Sequence, residues 1–333
     1  MDSTMNSEFI IKRLVSGGLI TNYYCTSRCR HCLYACSPTW EKRYIDSETA
    51  EKNLSKIKEL DCFSIHVGGG EPFLNPGGLE MVLDMASSVG VRVEYVETNS
   101  SWFKDRDSAC SILSSLREKG LSTLLVSISP FHNEHIPFWK VKGVMQACEA
   151  VGIGVFPWIS DFFQEINALG DKTTHSLAEY ETSYGPDYLR RLPARYWIHF
   201  GGRAVKTFVD VLGMRPFEEI LASGRRGCDE LLDVSHFHLD LFGNYIPGLC
   251  SGLAIERDDL GHPLGPKKYP LICTLFQKGV TGLYDLATEK YGFKPAQGYM
   301  SKCHLCLDIR KYLALDIKND SRELRPLEFY KNI

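Results

Sequence analysis

Three cysteines near the start of the chain are the residues best suited to do chemistry. Cys25, Cys29 and Cys32 have the spacing C-x3-C-x2-C and follow a short apolar run, 19–24. Such a run, followed by a loop of Cys, Ser and Arg, predicts a strand that delivers thiolates into a pocket. Three thiolates are one too few to close a tetrahedral zinc site or to ligate every iron of a four-iron cluster. The spacing therefore indicates a metal site with one position open to a ligand that is not protein.

A second motif lies where the chain leaves the next predicted strand. That strand covers 63–67 and runs into Gly69-Gly70-Glu71-Pro72. With both motifs present, the chain resembles a radical S-adenosylmethionine (SAM) enzyme. The cysteine motif after the first strand is the signature of that superfamily, and Gly-Gly-Glu-Pro after the second strand matches its second motif. The resemblance covers about residues 15–215.

The resemblance implies what fills the open position. Cys25, Cys29 and Cys32 would hold a [4Fe–4S] cluster whose fourth iron binds the amino nitrogen and carboxylate of SAM. The other SAM contacts would come from the cysteine loop and from strand ends, at His31, Gly69, Gly70, Glu71, Asn99, Ser127 and Ser129. Among these, the backbone of His31 would touch the adenine, and the Gly-Gly-Glu segment would hold the methionine amino group. An acidic residue is common in the family where Ser129 stands, so the chain departs from the pattern there.

The implied chemistry belongs to the cofactors, while the protein orients them and excludes water. An electron from a donor such as flavodoxin or ferredoxin would cleave SAM to methionine and a 5′-deoxyadenosyl radical, which abstracts hydrogen from the substrate. Two other interpretations of the first motif stay open, a zinc site completed by Cys36 or His31 and three buried cysteines. We interpret Cys36 as a buried thiol, because a thiolate on the fourth iron would exclude SAM.

The substrate pocket has weaker signals. The loop 131–135 follows the fourth predicted strand, and its His132 and Glu134 are candidate catalytic residues for proton exchange or substrate binding. A purely hydrogen-bonded loop is an equal alternative. The aromatic candidates for the cavity wall, which could equally be core residues, are Phe156, Trp158, Phe162 and Phe163. The arginines of the sixth predicted unit indicate a solvated basic face more than an anion site; they are Arg190, Arg191, Arg195 and Arg203.

A second group of cysteines lies in the C-terminal third. Cys228 and Cys250 flank a predicted hairpin at 236–246, and Cys303-x2-Cys306 opens a predicted helix. This stretch is similar to the SPASM/twitch extension of many radical SAM enzymes, which implies an auxiliary [4Fe–4S] cluster on these four thiolates. The full SPASM pattern continues after its CxxC with two more cysteines, and none follows Cys306 in this sequence, so the resemblance implies one auxiliary cluster at most. Zinc or free thiols remain alternatives, and Cys273 is a candidate replacement ligand.

The elements that must position these residues alternate between strand and helix about six times, ending with a predicted strand at 196–200. This order predicts a partial (β/α)6 TIM-type barrel with active residues at the carboxyl ends of its strands. From about residue 217 the alternation stops, and Gly, Pro and Cys become frequent. We therefore predict a radical SAM core barrel over 1–215 and a small cysteine-rich α+β domain over 216–333.

Composition supports a globular, metal-binding protein. The 333 residues are 44% hydrophobic with a net charge of −3, which gives no electrostatic argument for a nucleic-acid or membrane partner. Residues 1–12 lack the apolar region of a signal peptide, and a cytoplasmic location is expected. Twelve cysteines in such a chain favour metal binding or catalysis over a disulfide framework.

These observations lead to three hypotheses. The first is a radical SAM oxidoreductase that acts on a peptide side chain or a small molecule, with the auxiliary cluster taking up an electron. The roughly 20 residues before the first strand are too few for a separate leader-peptide domain, so a peptide substrate is only slightly favoured. The second is a radical SAM enzyme whose C-terminal domain holds zinc or no metal. The third is an iron–sulfur electron carrier or redox sensor that is not an enzyme.

Overall fold

The computed structural model describes residues 8–157, 160–224 and 226–333 of the chain. Its strands are β1 (Gly17–Ile20), β2 (Ser64–Gly68), β3 (Arg92–Thr98), β4 (Thr123–Val126), β5 (Gly154–Pro157), β6 (Arg215–Pro216), β7 (Phe237–Asp240), β8 (Asn244–Ile246), β9 (Ile255–Glu256) and β10 (Gly298–Tyr299). Its α-helices are α1 (Ser47–Glu59), α2 (Pro76–Val89), α3 (Arg106–Glu118), α4 (Pro130–Asn133), α5 (Phe138–Val151), α6 (Asp161–Leu169), α7 (Leu177–Tyr184), α8 (Tyr188–Arg195), α9 (Arg203–Leu212), α10 (Phe217–Ser223), α11 (Pro270–Tyr291), α12 (Lys302–Leu315) and α13 (Leu327–Asn332). No helix among these is long and apolar enough to cross a membrane.

One large sheet organises the described residues. Its strand order is β5-β4-β3-β2-β1-β7-β8-β9, so β1 lies inside the sheet. Every pair from β5 to β7 is parallel, and the β7–β8 and β8–β9 pairs are antiparallel. The predicted α/β class with a parallel sheet is confirmed. Because parallel neighbours end at the same edge, the loops after β1 to β4 meet on one side of the sheet.

Local residues cap the helices between these strands. Asp46, Asn75 and Asp105 cap α1, α2 and α3 by accepting backbone N–H bonds of 2.7, 3.0 and 2.9 Å. Gly90 and Gly152 end α2 and α5 in the left-handed conformation that glycine adopts without strain. The capped helices bury one apolar stripe each against the sheet, as Leu54 and Ile57 of α1 do with no exposed surface.

The predicted sixth strand at 196–200 is wrong, because this segment is irregular in the structure. Tyr196 and Ile198 are buried while Trp197 is 58% exposed, which is the alternation that resembles a strand. The Tyr196 N–H, however, donates to Leu192 at the end of α8 rather than to β5. The sixth parallel strand is instead β7, which joins the sheet on the far side of β1.

The C-terminal hairpin is confirmed and belongs to the main sheet. Asp240 and Asn244 flank its turn, in which Gly243 has a φ of +76°. Through β7 the hairpin continues the sheet past the boundary predicted near residue 215. The division into 1–215 and 216–333 stays a prediction.

Two glycines that flank α9 provide a test of how tightly the fold holds the cysteine loop. Both have positive φ, +50° at Gly202 and +79° at Gly213. A Cβ on Gly202 would come within 3.0 Å of the backbone oxygens of Leu33 and Cys32, whereas one on Gly213 would meet nothing within 4 Å. We expect Gly213→Ala to lower the free energy of unfolding by about 1–3 kcal/mol through backbone strain alone, because its φ of +79° and ψ of +170° lie in a region that only glycine adopts readily. Gly202→Ala should cost roughly 1–3 kcal/mol more through overpacking. Urea denaturation followed by circular dichroism measures both, and equal losses would contradict the close packing of α9 on the loop.

Candidate functional site

An open cavity of about 1100 Å³ lies where the loops after β1 to β4 meet. It gathers most of the predicted cofactor residues, which come from four separate stretches of sequence. Those that line it are Cys25, Cys29, His31, Cys32, Gly69, Gly70, Asn99 and Ser127, and the catalytic candidate His132 lines it as well. Of the other predicted residues, Glu71, Ser129 and Glu134 lie behind the cavity wall or beside it.

The three cysteines of the first motif lie together at one end of this cavity. Cys25 and Cys29 are buried and Cys32 is half-buried. The Cys25 sulfur accepts hydrogen bonds from the Ser27 backbone at 3.4 Å and from the Asn99 side-chain amide at 3.3 Å. Burial nevertheless raises the pKa of Cys25 to about 12. The thiol is therefore neutral in the metal-free chain, and a bound cation would be needed to keep it deprotonated.

A buried arginine beneath the loop was missed by the sequence analysis. Arg203 is 7% exposed, which corrects the prediction that it belongs to a solvated basic face. Its Nε donates to the Cys29 carbonyl at 2.9 Å and its Nη2 to the Cys36 carbonyl at 2.6 Å. Its Nη1 has no partner among the described residues. The guanidinium thus fixes the loop and places a positive charge next to the thiols.

Cys36 lines the same cavity as the three motif cysteines. Its thiol hydrogen-bonds to Cys32, which lowers the pKa of Cys32 and raises that of Cys36. The Cys36 thiol therefore donates a hydrogen bond to the Cys32 sulfur. Because Cys36 lines the cavity with Cys25, Cys29 and Cys32, its thiol could also bind a metal held by those three, and a variant of Cys36 is needed to test this.

The glycine motif packs directly on the segment that joins β1 to the cysteines. Gly69 has a φ of +136°, and a Cβ on Gly69 or Gly70 would come within 3.0 Å of backbone oxygens of Asn22 or Tyr24. The Gly70 N–H donates to the Asn22 carbonyl at 2.7 Å. Glycine is required here because the two motifs touch backbone to backbone. Their contact leaves the Gly69–Gly70 backbone on the cavity wall.

Glu71 has no exposed surface and does not line the cavity. Its carboxylate accepts from the Asn99 N–H at 2.6 Å, the Phe73 N–H at 3.1 Å and the Thr98 hydroxyl at 3.0 Å. Burial raises the pKa of Glu71 to about 7. The side chain joins the end of β2 to the end of β3 and so sets the position of Asn99.

Histidines form another part of the wall. His31 stacks on Phe131 at 4.8 Å, and its Nε2 lies 2.9 Å from the Tyr196 hydroxyl. Its Nδ1 is buried without a partner among the described residues. His132 lines the cavity, and burial lowers its pKa to about 4. At neutral pH both rings are therefore uncharged.

The predicted residues around His132 differ in where they point. The Ser129 hydroxyl lies 2.7 Å from His132 Nδ1 and caps α4, so it positions that ring. Ser127 lines the cavity, with its N–H donated to the Thr98 carbonyl at 2.9 Å. Glu134 pairs with Arg30 at 3.0 Å outside the cavity. His132 is thus the one of the two catalytic candidates that faces the site.

The aromatic residues predicted for the wall do not line it where the structure describes them. Phe162 is fully buried core, and Phe163 packs on Phe138 at 4.8 Å. Phe156 is 50% exposed on β5. Trp158 lies outside the described residues. Tyr34, Tyr196 and Trp197 form the aromatic part of the wall instead.

The four C-terminal cysteines meet in a second cavity of about 1240 Å³. Cys303 and Cys306 lie in the first turns of α12, and Cys228 and Cys250 come from the loops before β7 and after β8. Burial raises the pKa of Cys250 to about 12. Cys273 points elsewhere, with its thiol 3.6 Å from the Leu264 carbonyl. The predicted group of four is therefore brought together, and Cys273 is not part of it.

The second cavity repeats the electrostatic arrangement of the first. Arg310 is 4% exposed and donates to the Ser251 carbonyl at 2.8 Å, next to Cys250 and Cys306. Its Nε has no partner among the described residues. The two cavities are neighbours, because His199 and Leu249 line both.

Comparisons with known proteins give fold likeness only. No protein-family model matches the sequence, and no curated protein matches it. Native anSMEcpe with bound AdoMet is 12% identical, with 92% of this chain and 99% of that chain covered and a TM-score of 0.45. BtrN in complex with AdoMet and 2-DOIA is 13% identical, with 82% and 90% covered and a TM-score of 0.44. SuiB of Streptococcus suis bound to S-adenosylmethionine is 14% identical, with 72% and 61% covered and a TM-score of 0.35. Each of the three structures has AdoMet or S-adenosylmethionine bound.

The role of Arg203 can be tested through stability. Arg203→Met removes both donors to the Cys29 and Cys36 carbonyls and leaves two buried acceptors unsatisfied, which should cost about 2–5 kcal/mol. Arg190 is an exposed arginine on α8, so Arg190→Met is the matched control and should change stability by less than about 0.5 kcal/mol. Thermal and urea denaturation of both variants give the comparison. Similar values for the two would show that the guanidinium does not hold the loop.

Proposed function

We propose that the chain is a radical SAM enzyme whose first cluster is held by Cys25, Cys29 and Cys32. The observation that carries this proposal is the meeting of this three-thiol set with the Gly69–Gly70 backbone on the wall of one cavity. The cysteines alone specify an incomplete metal site, and the glycines supply a close backbone surface for a ligand beside it.

The residues present fit a cluster with bound SAM. The donors are three thiols that line one cavity, two of them buried and one half-buried, with an amide N–H directed at Cys25 and a buried guanidinium nearby. Polar atoms without partners among the described residues remain around them, on Ser27, His31 and Arg203. When bound, the cluster and SAM would supply the 5′-deoxyadenosyl radical that removes a hydrogen atom from the substrate.

The chain's own residues have the tasks of holding and orienting. Glu71 fixes the ends of β2 and β3 and so acts as a positioning residue, while the Gly69–Gly70 backbone forms the surface for the methionine amino group. Asn99 directs its amide to Cys25, and amide donors to sulfur stabilise thiolate charge. Arg203 offsets part of the negative charge that three thiolates bring into a buried corner.

His132 is the better candidate for proton exchange with a substrate. It faces the cavity, is neutral, and has its Nδ1 2.7 Å from the Ser129 hydroxyl, so Nε2 is the ring nitrogen left to exchange a proton with a substrate. Glu134 would act indirectly, by anchoring Arg30 at the edge of the loop.

For the second cavity we propose an auxiliary [4Fe–4S] cluster on Cys228, Cys250, Cys303 and Cys306. A full set of four thiolates suits a site through which electrons pass without substrate binding to iron. The wall shared with the first cavity at His199 and Leu249 supports this, because an electron from the substrate would have a short path. The net reaction would be an oxidation of a peptide side chain or a small molecule, with flavodoxin or ferredoxin as the electron donor for SAM cleavage.

Two alternatives have specific support. Zinc would suit the same four C-terminal thiolates, in which case this cavity would only shape the protein. Coordination of the first cluster by Cys36 would close the open iron and leave an electron carrier without SAM chemistry.

Release of 5′-deoxyadenosine separates these functions. The reconstituted protein, incubated with SAM and dithionite, should release it, Cys29→Ala should abolish release, and Cys36→Ala should retain it. Cys110→Ala is the control, because that thiol lies on α3 away from both cavities. The absence of release from a fully reconstituted wild-type protein would leave only the electron carrier.

Metal content separates the two versions of the second site. Anaerobic reconstitution should load about eight irons per chain, and Cys306→Ala should reduce this to about four while 5′-deoxyadenosine release from SAM persists. Four irons and one tightly bound zinc in the wild type, with the zinc lost in Cys306→Ala, would instead support the zinc alternative. Elemental analysis of both proteins decides between the two outcomes.

A further inference from the structure

Three histidines form a cluster that the proposed function does not use. His66 lies on β2, while His236 and His238 lie just before and within β7. One nitrogen from each ring can be chosen so that all three lie within 4.8 Å of one another. His66 and His238 are 3% and 4% exposed, so two of these rings are held inside the protein.

The sheet topology builds this cluster. β1 lies between β2 and β7, and its Gly18 is in register with His66 on one side and His238 on the other. Any Cβ on Gly18 would come within 3.0 Å of the His66 ring. Because Gly18 has no side chain, the two rings can meet across the intervening strand. His236 is two residues before His238, which places it on the same face.

The spacing of the nitrogens matches a metal site. In tetrahedral zinc sites the Zn–N bonds are about 2.0–2.1 Å, so two ligand nitrogens lie roughly 3.3 Å apart. His66 Nε2 and His238 Nε2 are 3.0 Å apart. The rings of His236 and His238 are 5.0 Å apart between centroids and inclined at 73°, so their nitrogens can converge on one point.

The surroundings resemble the outer partners that orient metal-binding histidines. The Tyr34 hydroxyl lies 2.7 Å from His238 Nδ1, which leaves Nε2 for a metal. Tyr95 stacks flat on His66, with 5.2 Å between ring centroids. A Glu97 carboxylate oxygen lies 3.7 Å from His66 Nε2, on the metal-binding side of that ring and not at its other nitrogen.

The cluster opens onto the cavity already described. His236, His238, Tyr34 and Glu97 all line it, together with Cys32. Three protein ligands with one remaining position is the composition of catalytic zinc sites, in which the fourth position holds water or substrate.

We propose that His66, His236 and His238 bind a divalent transition metal ion of the zinc type, whose remaining coordination position faces the cavity and takes an oxygen atom of the substrate. Metal binding here does not depend on the proposed radical chemistry. Only the use of the metal to orient a hydroxyl or carboxylate substrate rests on the proposed function. Imidazole ligands suit zinc, copper, iron and nickel, and zinc serves as the probe.

The test uses the full chain with its cysteine sites loaded with iron and sulfide. The protein is treated with a mild chelator, dialysed against zinc and examined by elemental analysis and by zinc X-ray absorption. We expect one zinc per chain with nitrogen or oxygen ligands at about 2.0–2.1 Å and without sulfur at about 2.3 Å. A folded protein that takes up no zinc, or zinc that is bound by sulfur, would overturn the proposal. If no zinc is taken up, His66 and His238 are a hydrogen-bonded pair with His236 beside them.

Matched variants locate the ion. His236→Ala and His238→Asn should each weaken zinc binding at least about tenfold. Loss of a residue that only orients a metal ligand already weakens metal binding by about 10–100-fold, and loss of a ligand itself should cost no less. His262→Ala, at an exposed position, should bind zinc as the wild type does. Gly18→Ala keeps all three histidines but fills the space between them, so it should also lose the zinc. Gly154→Ala on β5, where a Cβ meets only ordinary contacts at 3.4 Å, is its control.

Circular dichroism of each variant before zinc addition separates loss of the site from loss of the fold. His236 is half-buried and precedes the strand, so its variant is the one best placed to fold normally. Zinc binding that persists in a folded His236→Ala protein would contradict the assignment. Release of 5′-deoxyadenosine is measured in parallel, so that failure of the metal site and failure of the proposed enzyme are seen independently.

Discussion

The pairing of β1 with β2 on one side and β7 on the other is the constraint on which the rest of the site depends. The carboxyl end of β1 continues into the cysteine loop, and its Asn22 carbonyl receives the Gly70 N–H of the loop after β2. Within the strand, Gly18 leaves the space in which His66 and His238 meet. One short strand of four residues therefore fixes the thiols, the glycine surface and the histidine cluster relative to one another. A residue with a side chain in place of Gly18 would push His66 away from His238.

Each cysteine group is accompanied by a buried arginine, and the energetics of burial explain why. A buried thiol resists ionisation, as the raised pKa values of Cys25 and Cys250 show. Several thiolates around a metal add negative charge to a region that cannot solvate it. Arg203 and Arg310 place a permanent positive charge beside each group and use their other nitrogens to hold backbone carbonyls. A buried guanidinium without partners is itself costly. The arginine and the cysteine group beside it therefore stabilise each other only when the loops are correctly folded.

The sequence predicted the elements whose signals are local. The cysteine and glycine motifs are short runs that directly follow strands, so both could be found in the sequence. It failed at 196–200, where alternating burial arises from packing around a cavity and not from strand pairing. It also failed to find Arg203 and the histidine cluster, because their meaning comes from contacts across long separations. His66 and His238 are 172 residues apart, and only the topology that places β7 beside β1 brings them together.

The chemistry of the donors argues that the three proposed metal sites can coexist in one chain. Thiolates are soft ligands that favour iron–sulfur clusters, whereas imidazoles favour zinc and its neighbours. The two kinds of donor come from different elements, since the histidines lie on or beside β2 and β7 and the first three cysteines lie in the loop after β1, although both groups line the cavity. Tyr34 spans the two, because it follows Cys32 by two residues while its hydroxyl binds His238. A ligand in this cavity would thus lie between an oxygen-binding metal on one side and the open iron on the other, and the distance between them would limit which hydrogen atom could be removed.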